Sequence, residues 1–460
     1  MKTIAKFSTA ILLVIVSGVL SAASFQLPAY QEVTLDNGLT LLLMEHDEVP
    51  LINVEVRVKA GAIDSDIKGL ANVTAEALTF GNANRSKQEI NDALDFTGSS
   101  FSTWSDKELS GVSASFLNKN TDLVLEILEN TLKSPKFESQ EVEKFLNRYA
   151  TELQQKQESP RQMIGDYFDA LYFAQHSYAI SSDADKASLK KIDRSAIENF
   201  YQRYYQPNNT VIAVVGDFNS KDMANKITKR FSNWKNKHKQ NTSDIKPYSP
   251  EAEAQVLLVD KDDARETTFM IGGKGIARGD ENYVALQVLN TILGGRFTSW
   301  LNDELRVNSG LTYGARSRFA TMKEDGTFAI STFTKTDSTE QAIDLALKTY
   351  QRLWKKGIDQ ATLDSAKAYV KGQFPPRYET AGQLADLLVS MKVMGIDASF
   401  INEFNQSVNA LTVDKTKQLI NQYFPKENLQ FVLIGKADDI RDVAKKYGAV
   451  KEIEMGETVN

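Results

Sequence analysis

The sequence predicts an α+β protein made of two homologous α/β-sandwich halves, each an antiparallel-rich sheet covered by helices. Two observations carry that reading. Gly111 opens GVSASF ahead of Thr121-Asp122, and Gly326 opens GTFAIS ahead of Thr336-Asp337, so both landmarks recur after 215 residues. A third pair follows: YYQPNNTVIAVVG ends at Gly216 and YFPKENLQFVLIG at Gly435, each a tyrosine-rich helix, a proline turn and a buried strand stopped by glycine. The second observation is that strands run beside helices in a shared order, as sandwich folds require. A length of 460 residues is also too great for one core.

In the first half, Val33–Met44 and Leu51–Val58 alternate as strands around a turn at Asp47–Pro50. A helical pattern at Gly69–Leu78 precedes a strand at Gly111–Leu117, and amphipathic helices follow at Asp122–Leu132 and Gln140–Gln155. In the second half, Gln255–Val259 and Thr267–Gly272 are strands, and Glu281–Leu293 and Thr298–Asn308 are helices. Strands at Leu311–Phe319 and Gly326–Phe333 lead to helices at Glu340–Lys355 and Gln360–Lys371, the last stopped near Gly372 by Pro375-Pro376. Each sheet is expected to be antiparallel and covered on one face. The lysine-rich run Lys235–Lys239, with the polar stretch around it, breaks every apolar period and reads as a solvated connection.

The amino terminus is of another kind. Lys2 and Lys6 precede ILLVIVSGVL, and Ser21-Ala22-Ala23 places small residues where signal peptidase cuts. The apolar run of about ten residues falls short of the roughly twenty that span a bilayer. The expected organisation is therefore a signal peptide at 1–23, a first domain at 24–240, a linker at 241–253 and a second domain at 254–460. Loss of Lys2 and Lys6 takes the formal charge from −6 to −8. Without cysteine there is no lipid-bearing residue after the leader and no disulfide framework. The mature chain is expected in a periplasmic or secreted location, with no stable membrane insertion. Sixty acidic against 54 basic side chains give no support to nucleic-acid binding.

Two stretches carry chemistry. In Gly69-Leu70-Ala71-Asn72-Val73-Thr74-Ala75-Glu76, residues 72 and 76 stand four apart on one helical face, the spacing at which two imidazoles grip one zinc. Here that face carries Asn72 and Glu76, with Ala75 before the latter, and no imidazole. Glu152, in TELQQKQESP, lies 76 residues beyond Glu76. Three histidines exist, His46, His176 and His238, none at ligand spacing from another, so the chain is expected to bind no metal of its own. The second stretch is Leu293-Gly294-Gly295-Arg296, leading into FTSWLNDELRVNSGLTYGARS. Gly294 and Gly295 permit a tight turn, Ser299 suits a first helical turn, and Gly310 suits a left-handed cap. Arg306 falls near the helix end and Tyr313 seven residues later, in the expected strand. On their own chemistry these two read as a dipole-compensating arginine and a strand tyrosine.

Together the two stretches resemble the pitrilysin/insulinase-type (inverzincin) metallopeptidases, over about residues 25 to 455. The first resembles the helix bearing the family's H-x-x-E-H, with both histidines and the base replaced; Glu152 sits in a context like that of the third ligand. The second resembles L-G-G-G-x-x-S-R-L…E-L-R-E-x-x-G-L-x-Y, with Arg296 in place of the third glycine. His176, in AQHSYAI, resembles a loop around H-P-Y/L-G and reads as a packing residue. The resemblance implies a clamshell half and a recognition subunit of the kind found in two-subunit members such as mitochondrial processing peptidase. A homologous partner would bring the zinc. Peptide substrates would lie between the subunits, and Arg306 and Tyr313 would bind substrate and support the transition state. The competing expectation is a partner-independent peptide-binding or scaffolding protein with no enzymatic activity.

Overall fold

The computed structural model describes residues 25–238, 245, 248 and 253–459. The expected leader and most of the expected linker lie outside the described residues. In the first half the strands are β1 (Gln31–Thr34), β2 (Thr40–Glu45), β3 (Leu51–Val58), β4 (Ser100–Ser105), β5 (Ser110–Leu117) and β6 (Thr210–Gly216). The second half contributes β7 (Gln255–Asp260), β8 (Glu266–Lys274), β9 (Arg316–Thr321), β10 (Gly326–Lys335), β11 (Gln430–Gly435) and β12 (Ala449–Glu454). They form two six-stranded sheets ordered β1-β2-β6-β3-β5-β4 and β12-β7-β11-β8-β10-β9. The orders correspond strand for strand from β2/β7 to β4/β9, so the sequence repeat is a structural repeat.

Both glycine landmarks stand where a side chain would collide. Gly111 lies in register with Arg57 on β3 and Trp104 on β4, and a Cβ there would meet the Trp104 indole at 2.5 Å. The indole crosses the glycine to reach Arg57, whose guanidinium stacks 4.4 Å from the ring centroid. A Cβ on Gly326 would instead strike the carbonyls of Ile276 and Ala320.

The sheets are antiparallel-rich but not purely antiparallel: β2 with β6, β7 with β11, and β12 with β7 run parallel. Helices also cover both faces of each sheet, where one covered face was expected. One face of each carries its own half's core, around Val54, Val56 and Ile127 in the first half and Phe269, Leu293 and Phe328 in the second. The other face receives a helix from the opposite half. The Pro160–Phe173 helix packs Ile164 and Phe168 against Leu257, Val432 and Ile434 of the second sheet. Reciprocally, the Ala381–Met394 helix packs Leu384 and Leu388 against Leu42, Val211 and Ala213 of the first. Apolar burial on this scale fixes the halves against one another.

Several expected elements change at their boundaries. The single strand over 33–44 is a hairpin, because Gly38 takes φ +90° and the Asn37 amide donates to the carbonyls of Phe231 and Trp234. The Glu281–Leu293 and Thr298–Asn308 helices are short α segments that widen into π-type turns at Thr291–Gly295 and Asp303–Asn308. The Glu340–Lys355 helix breaks after Tyr350. The helix before Pro375 ends at Gln373, as the double proline requires.

Candidate functional site

The Leu70–Ala77 helix starts from Gly69 at φ +79°, where a Cβ would press on Ala184. Asn72 donates its amide to the Tyr149 hydroxyl at 3.3 Å, and that hydroxyl donates to Asp183 at 2.9 Å while accepting the Ala184 N–H at 3.1 Å. Lys156 completes the network, reaching Asp183 at 2.7 Å and Asp166 at 2.8 Å. Burial and the Asp183 carboxylate hold the Tyr149 phenol protonated far above its ordinary range. The polar groups beside position 72 therefore satisfy one another.

Ala75 is fully buried, and Glu76 is half-buried with its carboxyl raised by burial against the opposing pull of Arg148 and Lys87. Glu152 is exposed and pairs with Arg148 at 3.2 Å. Arg148 thus supplies the positive charge shared by the two carboxylates. Among the described residues no cluster of three or more His, Cys, Asp or Glu side chains could hold a metal ion, and a catalytic zinc needs three protein ligands. His176 accepts the Tyr178 N–H at its Nδ1 and packs among Phe173, Tyr178 and Tyr248, a structural place in a turn.

The second stretch builds an open groove of ≈ 890 Å³ on the free end of the second sheet. Gly294 lies so close to the Ser317 backbone that no Cβ fits. Asn290 fixes the same point, donating to the Ser317 carbonyl at 2.9 Å and accepting the Ser317 hydroxyl at 2.6 Å. These contacts set β9 against the Thr291–Gly295 turn. Ser299 begins the next turn without a capping bond from its hydroxyl, contrary to expectation. Gly310 does take the left-handed conformation, at φ +65°.

Tyr313 is not in a strand. Residues 311–315 form a loop because the N–H groups of Leu311 and Thr312 return to the Leu305 carbonyl and Thr332 donates to the Gly314 carbonyl. Asn302 ties both ends, donating to the Phe297 carbonyl at 2.6 Å and accepting the Ala315 N–H at 3.3 Å. The loop lifts Tyr313 into solvent at 77% exposure, with Phe297 facing it at 65%. Arg306 lies between the rings, 4.7 Å from the Phe297 centroid and 4.8 Å from that of Tyr313. Two cation–π contacts at such distances orient a guanidinium without consuming its donors. Arg306 and Tyr313 are thus adjacent, Arg306 half-buried in the Asp303–Asn308 turn and Tyr313 exposed on the braced loop.

Arg296, in place of the third glycine, leans on Tyr369 and donates to the Ser365 hydroxyl at 3.1 Å. Sequence reasoning missed the rest of the wall. Arg161, from the exchanged helix, stacks 3.4 Å from the Phe333 ring centroid and pairs with Glu266 at 3.1 Å. Arg316 and Arg318 stand exposed on β9, alternating with buried Ser317 and Phe319. The R-x-R alternation within a strand was the signal that could have found them.

Residues 41–182 match the family model described as Insulinase (Peptidase family M16), and residues 191–370 the one described as Peptidase M16 inactive domain. The chain belongs to the M16 peptidase family. A relative described as zinc protease PqqE from Helicobacter pylori is 25% identical, over 90% of this chain and 95% of that one. A relative from the same strain, described as non-peptidase homolog YmxG, is 23% identical over 93% of this chain and 98% of its own. The crystal structure of a peptidase M16 inactive domain from Pseudomonas fluorescens superposes with a TM-score of 0.83 at 24% identity, covering 88% of this chain and 98% of that chain. The M16 clamshell-half architecture is thereby established, and the inactive-domain and non-peptidase descriptions support a non-catalytic M16 protein. Among the described residues no helix is long and apolar enough to cross a membrane.

Proposed function

We propose that this M16 protein is the secreted, zinc-lacking subunit of a two-subunit peptidase, binding peptide and lending Arg306 and Tyr313 to the zinc site of a homologous partner. One contrast carries the reading. The helix that would hold metal has neither imidazole nor base, while the arginine and tyrosine of the other half stand side by side, Arg306 half-buried and Tyr313 exposed. Peptide hydrolysis builds negative charge on the scissile carbonyl oxygen, and a fixed guanidinium with a phenol beside it can donate hydrogen bonds to that charge. Zinc and the water it activates belong to the partner; this chain supplies orientation and electrostatic support. Extended peptides suit the groove, which runs beside the edge strand β9.

A second reading, a partner-independent peptide-binding protein, draws on the groove being built within one chain. Affinity purification of the tagged mature chain from its native periplasm, followed by mass identification, separates the two. Co-purification of an M16 homologue with an intact H-x-x-E-H is expected; recovery of the chain with no such homologue favours the second reading.

A further inference from the structure

The charge of the groove is at odds with the charge of the chain. The protein is acidic, at −6, yet five arginines line the groove (Arg161, Arg296, Arg306, Arg316 and Arg318), and no aspartate or glutamate does so among the described residues. Arg161 is neutralised by Glu266; the other four have no carboxylate partner among the described residues. Unpaired arginines gathered on one wall of an acidic protein create a local potential that an anionic ligand can satisfy.

We infer that the groove selects peptide segments with acidic side chains at alternate positions, read by Arg316 and Arg318. The inference rests on the peptide-binding reading above and names its substrate class. Arg316 and Arg318 occupy one face of β9, because Ser317 and Phe319 between and after them point into the core. Two residues along a strand advance about 6.6–6.8 Å, the same step that separates alternate side chains of an extended peptide. A segment lying along β9 therefore sets carboxylates at positions i and i+2 opposite both guanidiniums at once, and each can be held bidentately. The strand is a fixed ruler: β9 pairs with β10 from Arg316–Ser331 to Thr321–Gly326, and Asn290 and Gly294 clamp it at Ser317. Tyr313, Phe297 and Tyr369 supply ring surface between the charges. A nucleic acid meets the same arginines, but its long charged backbone also meets the net-negative remainder of the chain, whereas a short acidic segment lies within a Debye length of the groove.

The test is fluorescence anisotropy on the mature chain with three labelled probes. One is an extended decapeptide with two glutamates at alternate positions, the second its glutamine isostere, and the third an oligothymidylate. The glutamate peptide is expected to bind about tenfold more tightly than the isostere at low salt, the scale of two exposed charge pairs, and to lose that advantage at high salt. Arg316→Gln/Arg318→Gln, whose side chains lie outside the core, is expected to fold with an unchanged thermal midpoint and to bring the two peptides to the same affinity. Equal binding of both peptides by the wild-type chain overturns the selectivity while leaving peptide binding intact. Binding of neither overturns both. Tighter binding of the oligothymidylate than of the glutamate peptide, lost in the same double variant, reassigns the groove to nucleic acid and overturns the inference.

Discussion

Arg57 offers a quantitative test of how the two halves are locked together. Its side chain is 7% exposed and pairs with Glu55 at 2.7 Å and with Asp386 at 2.5 Å. Glu55 is a neighbour on the same strand, whereas Asp386 comes from the Ala381–Met394 helix of the opposite half. Asp386→Ala removes one charge-assisted bond from a carboxylate that is itself 58% exposed, so the expected cost is about 1 kcal/mol. Arg57→Met is different: it strands Glu55, whose side chain is 14% exposed and, among the described residues, keeps only the 2.7 Å bond from Ser113. Removing one partner of a buried pair costs about 3–5 kcal/mol. The Glu55 carboxyl already lies above its ordinary range, chiefly through burial, with Arg57 pulling it down. A carboxylate raised in the folded state contributes stability below its unfolded pKa and loses it as pH rises through the folded one. Losing Arg57 raises the folded value further, so the Arg57→Met penalty grows from pH 5 to pH 8. Urea unfolding at both pH values reads this directly. Equal costs for the two variants, or an Arg57→Met penalty that shrinks as pH rises, would refute the reasoning.

Other consequences concern the two candidate sites. Gly294→Ala should destabilise by about 1–3 kcal/mol, because the new methyl must displace the Ser317 backbone, and equilibrium unfolding will show whether it does. Glu152→Gln should leave stability within about 0.5 kcal/mol of wild type, since it breaks only an exposed pair with Arg148; turnover by the reconstituted complex should not change. Burial raises the Glu76 carboxyl, so its charge opposes folding once pH climbs through the folded pKa. Glu76→Gln should therefore raise the thermal midpoint at pH 8 and leave it nearly unchanged at pH 4, as scanning calorimetry can verify.

The repeat could be read from the sequence because glycines mark places where structure forbids a side chain, though for different reasons: the Trp104 indole at Gly111 and backbone carbonyls at Gly326. The helix exchange could not be read. The Ala381–Met394 helix is buried on most of its surface, at Leu384, Ala385, Leu388 and Val389 among others. Such a pattern announces burial without naming the sheet that supplies it. Tyr313 was misplaced in a strand because alternation around Leu311 resembles β structure, whereas the decisive bonds to Leu305, Asn302 and Thr332 come from other elements. Arg316 and Arg318 escaped notice because two exposed arginines on a strand look like an ordinary solvent face until the groove around them is seen.

Peptide turnover, measured for the purified mature chain alone and mixed with an M16 homologue bearing an intact H-x-x-E-H, bears most directly on whether this chain lends its side chains to another's metal. Cleavage should arise only in the mixture and be abolished by chelation. It should fall by about 10²-fold or more with Arg306→Ala and drop with Tyr313→Phe, while both variants keep the wild-type thermal midpoint. Chelator-sensitive cleavage by the solitary chain, or undiminished turnover in both variants, would contradict the account.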